Sequence, residues 1–235
     1  MSEVARRLAE IRARIARSAQ RVGRDPSSVK LLAVSKTQPP ERVLEAVRAG
    51  VRAFGENRVQ EAEAKIEALR SLSRETLEWH LIGSLQRNKV RRAAALCDVI
   101  QSVDRAPLLY ALDREAGALG RRLRIFLQVN IDSEPQKGGC ALGEVTELAR
   151  LAGATEHLEL VGLMAIPRAC DDPEEVRPSF ARLRETLGEL NRARAHEREL
   201  TELSMGMTSD FEVAVEEGAT WLRIGTALFG ERKQG

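Results

Sequence analysis

The chain has 235 residues, 43% of them apolar and 31% charged, and its 37 Lys and Arg nearly balance 35 Asp and Glu for a formal net charge of +2. Such a composition excludes a disordered or fibrous chain and gives no electrostatic reason to expect a nucleic-acid or membrane partner, so any basic site is local. Cys97, Cys140 and Cys170 are odd in number and lack Cys-x-x-Cys spacing, which speaks against a disulfide framework or a zinc site and for a reducing, cytoplasmic setting.

In chain order, Val4, Leu8, Ile11 and Ile15 recur at helical spacing with Arg6, Arg7, Arg12, Arg14 and Arg17 between them, and predict an N-terminal helix over about 2–22. Glu3 and Glu10 interrupt the arginines, so they read as a solvated helix face rather than a transit peptide, and no apolar run reaches the roughly 20 residues that span a bilayer. Short runs rich in β-branched residues then predict strands at 29–36, 53–57, 78–84, 99–104, 123–131, 158–166, 201–207 and 221–229. Between them, helical periodicity predicts helices at 40–49, 57–71, 86–96, 106–119, 143–153, 174–196 and 209–217.

Eight strands alternating with helices make the count of a closed (β/α)8 barrel, a TIM barrel, occupying residues 1–235 as one domain. Several strands are continuous apolar runs, as expected where both faces of a parallel sheet are buried. An open doubly wound sheet often carries a Gly-rich first turn, and no G-x-G-x-x-G follows strand 1. The polar, Pro-punctuated stretch 168–178 reads as a long loop after strand 6 rather than a domain boundary.

In a parallel barrel the C-terminal ends of the strands converge on one face, and polar residues gather there at nearly every strand of this chain. Strand 1 ends in Ser35-Lys36-Thr37, strand 2 in Glu56-Asn57, strand 4 in Ser102-Val103-Asp104 and strand 5 in Gln128-Val129-Asn130. Alone, Lys36 reads as a lysine snorkelling from a strand end. A desolvated neutral amine at a barrel mouth is also the nucleophile that condenses with an aldehyde to form a Schiff base. Barrels commonly hold phosphate with the loops after strands 7 and 8. Here "SMGMTSD" offers Ser204, Gly206 and a Thr208-Ser209-Asp210 run suited to capping a helix, and "RIGTALFG" offers Arg223, Gly225 and Thr226. A lysine on strand 1 with these two segments makes an aldehyde-bearing phosphate the economical ligand, and pyridoxal 5′-phosphate is that cofactor.

"AVSKTQP", "FGENRVQE", "WHLIGSLQRNK", "SVD", "QVN", "GLMAIP" and "LSMGMTSDFEVAVEEGATWLRIGTALFG", in order from about residue 7 to 230, resemble the pyridoxal phosphate homeostasis proteins, the YggS/PROSC family. The resemblance implies a barrel like the N-terminal domain of alanine racemase (fold type III among pyridoxal phosphate proteins) and a non-catalytic carrier or regulator in vitamin B6 homeostasis. It implies Lys36 as the Schiff-base lysine and Ser204, Gly206, Met207, Gly225 and Thr226 around the phosphate, largely through backbone N–H groups. Asn57, His80 and Met164 would line the ring or the mouth, with His80 open to a second reading as a core histidine. Arg223 resembles the racemase-type arginine facing the pyridine nitrogen, a phosphate contact being the alternative. Leu85-Gln86-Arg87-Asn88-Lys89 becomes a functional surface of unassigned partner, and apoenzymes that use pyridoxal phosphate become candidate recipients.

Departures from the family pattern are Arg58, where an aromatic is usual, Phe211 in place of methionine, and "IDSEPQKGG" after strand 5, which keeps Lys137 and Gly138. An arginine at the pyridine nitrogen would oppose its protonation and weaken the electron sink a catalyst needs. A racemase would also bring a second domain and a tyrosine base, whereas the only tyrosine is Tyr110 and the chain ends at Gly235, just past strand 8. A monomeric carrier is therefore expected, the alternatives being a weakly active racemase or lyase and a Schiff-base aldolase without pyridoxal phosphate. Cys140 and Cys170 are expected to be bystanders.

Overall fold

Eight short parallel strands pair in chain order and close on themselves: β1 (Lys30–Val34), β2 (Ala53–Glu56), β3 (Glu78–Leu81), β4 (Val99–Val103), β5 (Leu123–Val129), β6 (Leu158–Ala165), β7 (Glu202–Ser204) and β8 (Trp221–Ile224). The structure, a computed structural model, describes residues 2–231. β8 pairs back onto β1, with Lys30 opposite Trp221 and Ala33 opposite Ile224, so no strand edge is left open. Around the barrel run α1 (Glu3–Arg21), α2 (Pro40–Arg48), α3 (Val59–Arg70), α4 (Val90–Leu96), α5 (Ala106–Ala118), α6 (Val145–Gly153), α7 (Arg177–Arg192), α8 (Phe211–Glu216) and the single turn α9 (Thr226–Phe229). Among the described residues no helix is long and apolar enough to cross a membrane.

Because successive side chains on a strand point to opposite faces, the apolar strands feed two cores. Leu32, Ala53, Val99, Phe126, Met164 and Trp221 fill the barrel interior as a small cluster of their own. Their neighbours Ala33, Phe54, Leu81, Ile100, Leu127 and Leu222 turn outward and join the large core beneath the helices. α1 follows the predicted pattern: the Ser2 hydroxyl accepts the Ala5 N–H (3.2 Å), and Val4, Leu8, Ile11, Ile15 and Ala19 are buried. That face packs on α8 and α9, where each buried aliphatic side chain contributes roughly 1.5–3 kcal/mol. Arg14 pairs with Glu212 (2.8 Å) and lies 4.4 Å over the Phe211 ring, which ties the N-terminal helix to the start of α8.

The structure corrects several expected boundaries. The apolar run 221–229 is not one strand, because β8 stops at Ile224 and, after Gly225, Thr226–Phe229 coil into α9. Strand 7 stops at Ser204 because Gly206 takes φ +90, which leaves the pleated sheet. Strand 1 stops at Val34, so Lys36 lies in the turn beyond it. The predicted helix 57–71 starts at Val59, since Arg58 is extended at φ −128 and ψ 132, and leaves Asn57 in the loop. Tight 3-10 turns at Arg87–Lys89, Leu142–Glu144 and Pro173–Val176 replace the first residues of three predicted helices.

Candidate functional site

Lys36 stands at the C-terminal mouth of the barrel on a tight turn. Gln38 N–H donates to the Ser35 carbonyl (2.9 Å) to close it. Thr37, inside the turn, takes φ 63, a left-handed conformation that is strained for a β-branched residue. The strain is held by Glu61 from α3, whose carboxylate accepts the Thr37 N–H (3.1 Å). Lys36 is half-buried, and among the described residues no ion pair or hydrogen bond occupies its amine.

Behind that turn lies a polar cluster that the sequence reading did not find. Lys65 of α3 is 6% exposed and donates to the Ser35 carbonyl and to the Glu56 carboxylate, which also accepts the Ser35 hydroxyl (2.6 Å). Burial drives the Glu56 carboxyl above its ordinary range against the opposing pull of Lys65 and Ser35, and its second oxygen has no partner. A lysine inside an amphipathic helix reads as solvated. Here the C-terminal ends of β1 and β2 supply it with an acid and a carbonyl.

Beside that turn around the closed barrel, where β8 pairs with β1, the loops after β7 and β8 lie side by side. Arg223 N–H donates to the Gly206 carbonyl (3.0 Å) and Ala227 N–H to the Thr208 hydroxyl (3.2 Å). Gly206 is required twice over: its φ is +90, and a Cβ there would sit 2.5 Å from the Ala214 side chain. Asp210 caps backwards, accepting the Met207 N–H (2.6 Å), so that amide is already occupied. Among the described residues, the backbone N–H groups of Thr208, Ser209, Gly225 and Thr226 donate to no protein acceptor. Two of these four residues, Ser209 and Thr226, are exposed and the other two half-buried, so the four donors on the adjoining loops are open to solvent.

Arg223 lies just below these loops, inside the barrel and 3% exposed. Its Nη1 donates to the Ser204 carbonyl (2.6 Å) and hydroxyl (2.9 Å), and its Nη2 donates to the Ala165 carbonyl (2.8 Å). Burial brings the guanidinium down to about 10, opposed by Asp210, so it stays a cation at neutral pH.

Of the ten residues singled out in the sequence, six stand at the mouth: Lys36, Asn57, Gly206, Met207, Gly225 and Thr226. Ser204, His80 and Met164 lie within the barrel wall below it, 0%, 1% and 0% exposed, as Arg223 does. The Ser204 hydroxyl is spent on Gln101 and Arg223, so it is not free for a phosphate. Both ring nitrogens of His80 are taken, by Glu78 and Gln101 (2.8 Å each), while its ring meets Trp221 at 4.8 Å. His80 is thus a core histidine, held neutral by burial against the pull of Glu78.

At the rim, the β2 and β3 loops come so close that a Cβ on Gly83 would lie 2.2 Å from the Asn57 carbonyl. A trough of about 710 Å³ opens beside them, lined by Arg58, Glu61, Ser84, Gln86 and Lys89 among others. Lys137 of the β5 loop donates to the Pro167 carbonyl (2.9 Å) and pairs with Glu134, so it braces two loops. Cys140 is buried beside Val129 with its thiol pushed up to about 12, chiefly by burial, which keeps it unreactive. Among the described residues no cluster of His, Cys, Asp and Glu is placed to hold a metal ion.

These groups suit one class of small molecule. A free amine, a set of unpaired N–H donors and a buried cation match an aldehyde, a phosphate and a basic or anionic ring atom. Comparison with known proteins points the same way. The profile of the alanine racemase N-terminal domain matches residues 7–233. A pyridoxal phosphate homeostasis protein of Pseudomonas aeruginosa is 46% identical over 235 residues, covering 100% of this chain and 98% of that one. One from Aquifex aeolicus is 43% identical over 227 residues, covering 97% of each chain. Among solved structures, PipY of Synechococcus elongatus with pyridoxal phosphate bound superposes with a TM-score of 0.85 at 42% identity, covering 97% of this chain and 100% of PipY.

Proposed function

This chain belongs to the family of pyridoxal phosphate homeostasis proteins, and we propose that it binds pyridoxal 5′-phosphate covalently through Lys36 and serves as a cytoplasmic, monomeric carrier or regulator of that cofactor rather than as a catalyst. The observation that carries the reading is the pairing of an unoccupied lysine amine on β1's exit turn with four unpaired N–H donors on the loops after β7 and β8. When bound, the cofactor would supply an aldehyde that a lysine amine can hold reversibly.

The chain's own residues divide the work of holding it. The strained Thr37 turn presents the Lys36 side chain at the mouth, and Glu61 keeps that turn from relaxing. Thr208, Ser209, Gly225 and Thr226 offer backbone donors to phosphate oxygens, and Gly206 lets their loop approach. Arg223 contributes a fixed cation below the mouth and is assigned to the pyridine nitrogen, where it disfavours a proton on that nitrogen. That charge pattern supports retention over turnover.

Purified protein mixed with pyridoxal 5′-phosphate is expected to show a visible-range absorption band that sodium borohydride bleaches, leaving a mass increment on the peptide containing Lys36. Lys36→Ala gives neither band nor increment. A reduced sample with no increment on that peptide overturns the assignment. Lys36-dependent turnover across a panel of L- and D-amino acids would replace the carrier by an enzyme.

A further inference from the structure

We infer that Gln101, His80 and Glu78 are positioning residues for the cofactor: a one-way hydrogen-bond relay through the barrel interior that locks Ser204, and through Ser204 the guanidinium of Arg223, beneath the binding mouth. The inference rests on the proposal that Arg223 faces the bound ring.

The relay can be followed atom by atom. Arg223 Nη1 donates to Ser204 Oγ (2.9 Å), and Ser204 Oγ donates to Gln101 Oε1 (2.7 Å). Gln101 Nε2 lies 2.8 Å from His80 Nδ1, and His80 Nε2 lies 2.8 Å from Glu78 Oε1, which Arg124 also holds at 3.0 Å. Gln101 and Ser204 are fully buried, and His80 and Arg223 are 1% and 3% exposed, so the inner links are shielded from solvent, while the Glu78 side chain at the floor is 29% exposed. Four strands besides β8 contribute: β7, β4, β3 and, through Arg124, β5.

Chemistry leaves one consistent direction for every proton. A guanidinium has donors only, so Ser204 Oγ must accept from Arg223 and send its single proton elsewhere. The acceptor at hand is the carbonyl end of the Gln101 amide, which turns the amide NH2 toward His80. His80 Nδ1 therefore accepts, its proton sits on Nε2, and Nε2 donates to the Glu78 carboxylate. Each member's orientation is dictated by its neighbour, from Arg124 on the barrel floor to Arg223 below the mouth. Reversing any one link would leave a buried donor facing a donor, at the cost of an unsatisfied group.

Packing alone would not select this arrangement. Gln101 occupies an inward register position beside Val99, where an apolar residue would fill the barrel more simply, and the relay explains the amide. Arg223 hangs from two carbonyls and one hydroxyl. The carbonyls are fixed by the strands, so the hydroxyl is the one partner free to rotate, and Gln101 sets its angle.

The test compares Gln101→Met, which keeps the volume, with Ser204→Ala, which removes the hydroxyl at small steric cost. Each variant is assayed for pyridoxal 5′-phosphate affinity, for the absorption maximum of the lysine-bound cofactor, and for melting temperature. Each single variant is expected to weaken cofactor binding about tenfold and to shift the absorption maximum. The double variant is expected to lose no more than the worse single, because both act through one hydroxyl. His80→Asn keeps an acceptor for the Gln101 amide and is expected to hold the wild-type absorption maximum, whereas His80→Leu shifts it. Lowered melting temperatures with unchanged affinity and absorption maximum in both Gln101→Met and Ser204→Ala would reduce the relay to core packing and overturn the inference. Failure of the wild-type protein to form the borohydride-sensitive band would instead strike the cofactor assignment itself.

Discussion

The two ends of the barrel treat polar groups in opposite ways. At the floor several strand-borne charges are paired: Lys30 meets Glu202 and lies 5.0 Å over Trp221, Arg124 meets Glu78, and Arg198 meets Glu159. At the mouth, donors stand unpaired: the Lys36 amine and the N–H groups of Thr208, Ser209, Gly225 and Thr226. These mouth residues are exposed or half-buried, so their open donors face solvent and are accessible to an anion. Left-handed non-glycine residues occur at both ends, Thr37 and Ser133 in the loops after β1 and β5 and Arg194 in the loop leading into β7.

Three substitutions sharpen that contrast. The largest stability effect is expected where the mouth rests on a buried ion pair. Lys65→Met strands the Glu56 carboxylate in the core and should destabilise the fold by about 3–5 kcal/mol, measured by urea unfolding, whereas Lys36→Ala nearby should stay within about 0.5 kcal/mol of wild type. The Lys65→Met loss should ease below the raised Glu56 titration, because a protonated carboxyl no longer needs the cation. A loss that does not depend on pH would show that Lys65 acts through packing.

Gly206→Ala comes next. It places a side chain at φ +90 and 2.5 Å from Ala214, and about 1–3 kcal/mol of stability should be lost, with a parallel loss of phosphate affinity as the β7 loop shifts. Intact affinity would mean that this loop does not face the phosphate. The smallest effect concerns the relay below. His80 is held neutral in the fold by burial, with Glu78 and Asp98 pulling it up and Arg124 pushing it down. Its folded titration lies below the ordinary 6.5, so an unfolded chain takes up a proton that the folded one refuses. His80 therefore contributes stability above the ordinary value that is lost as pH falls below it. In His80→Asn the fall between pH 7 and pH 5 should be shallower, read from chemical denaturation at each pH; an identical slope would remove His80 from the account.

The same contrast governs how much could be read in advance. Lys36 by itself reads as a snorkelling strand-end lysine, and it stands out only together with the glycine-bearing segments after strands 7 and 8 and the family resemblance. Gln101 was not legible, since one amide in "VIQSV" resembles an edge of polarity at a strand end. Lys65 was not, since its helix is amphipathic and a lysine there reads as solvated. Ser204 and His80 were placed near the ligand because they lie on the right strands, but register depth along the strand, not strand identity, decides whether a side chain reaches the mouth or stays in the wall.

The amino-acid pattern by itself determined the eightfold alternation and the docked amphipathic N-terminal helix, because periodicity is a local property. Tertiary structure alone decided where strand 8 gives way to α9, which hydroxyls and ring nitrogens are already spent, and that Arg223, Ser204, Gln101, His80 and Glu78 meet in one line. Those contacts join residues up to 103 positions apart, and only closing the barrel brings their inward faces within hydrogen-bond reach.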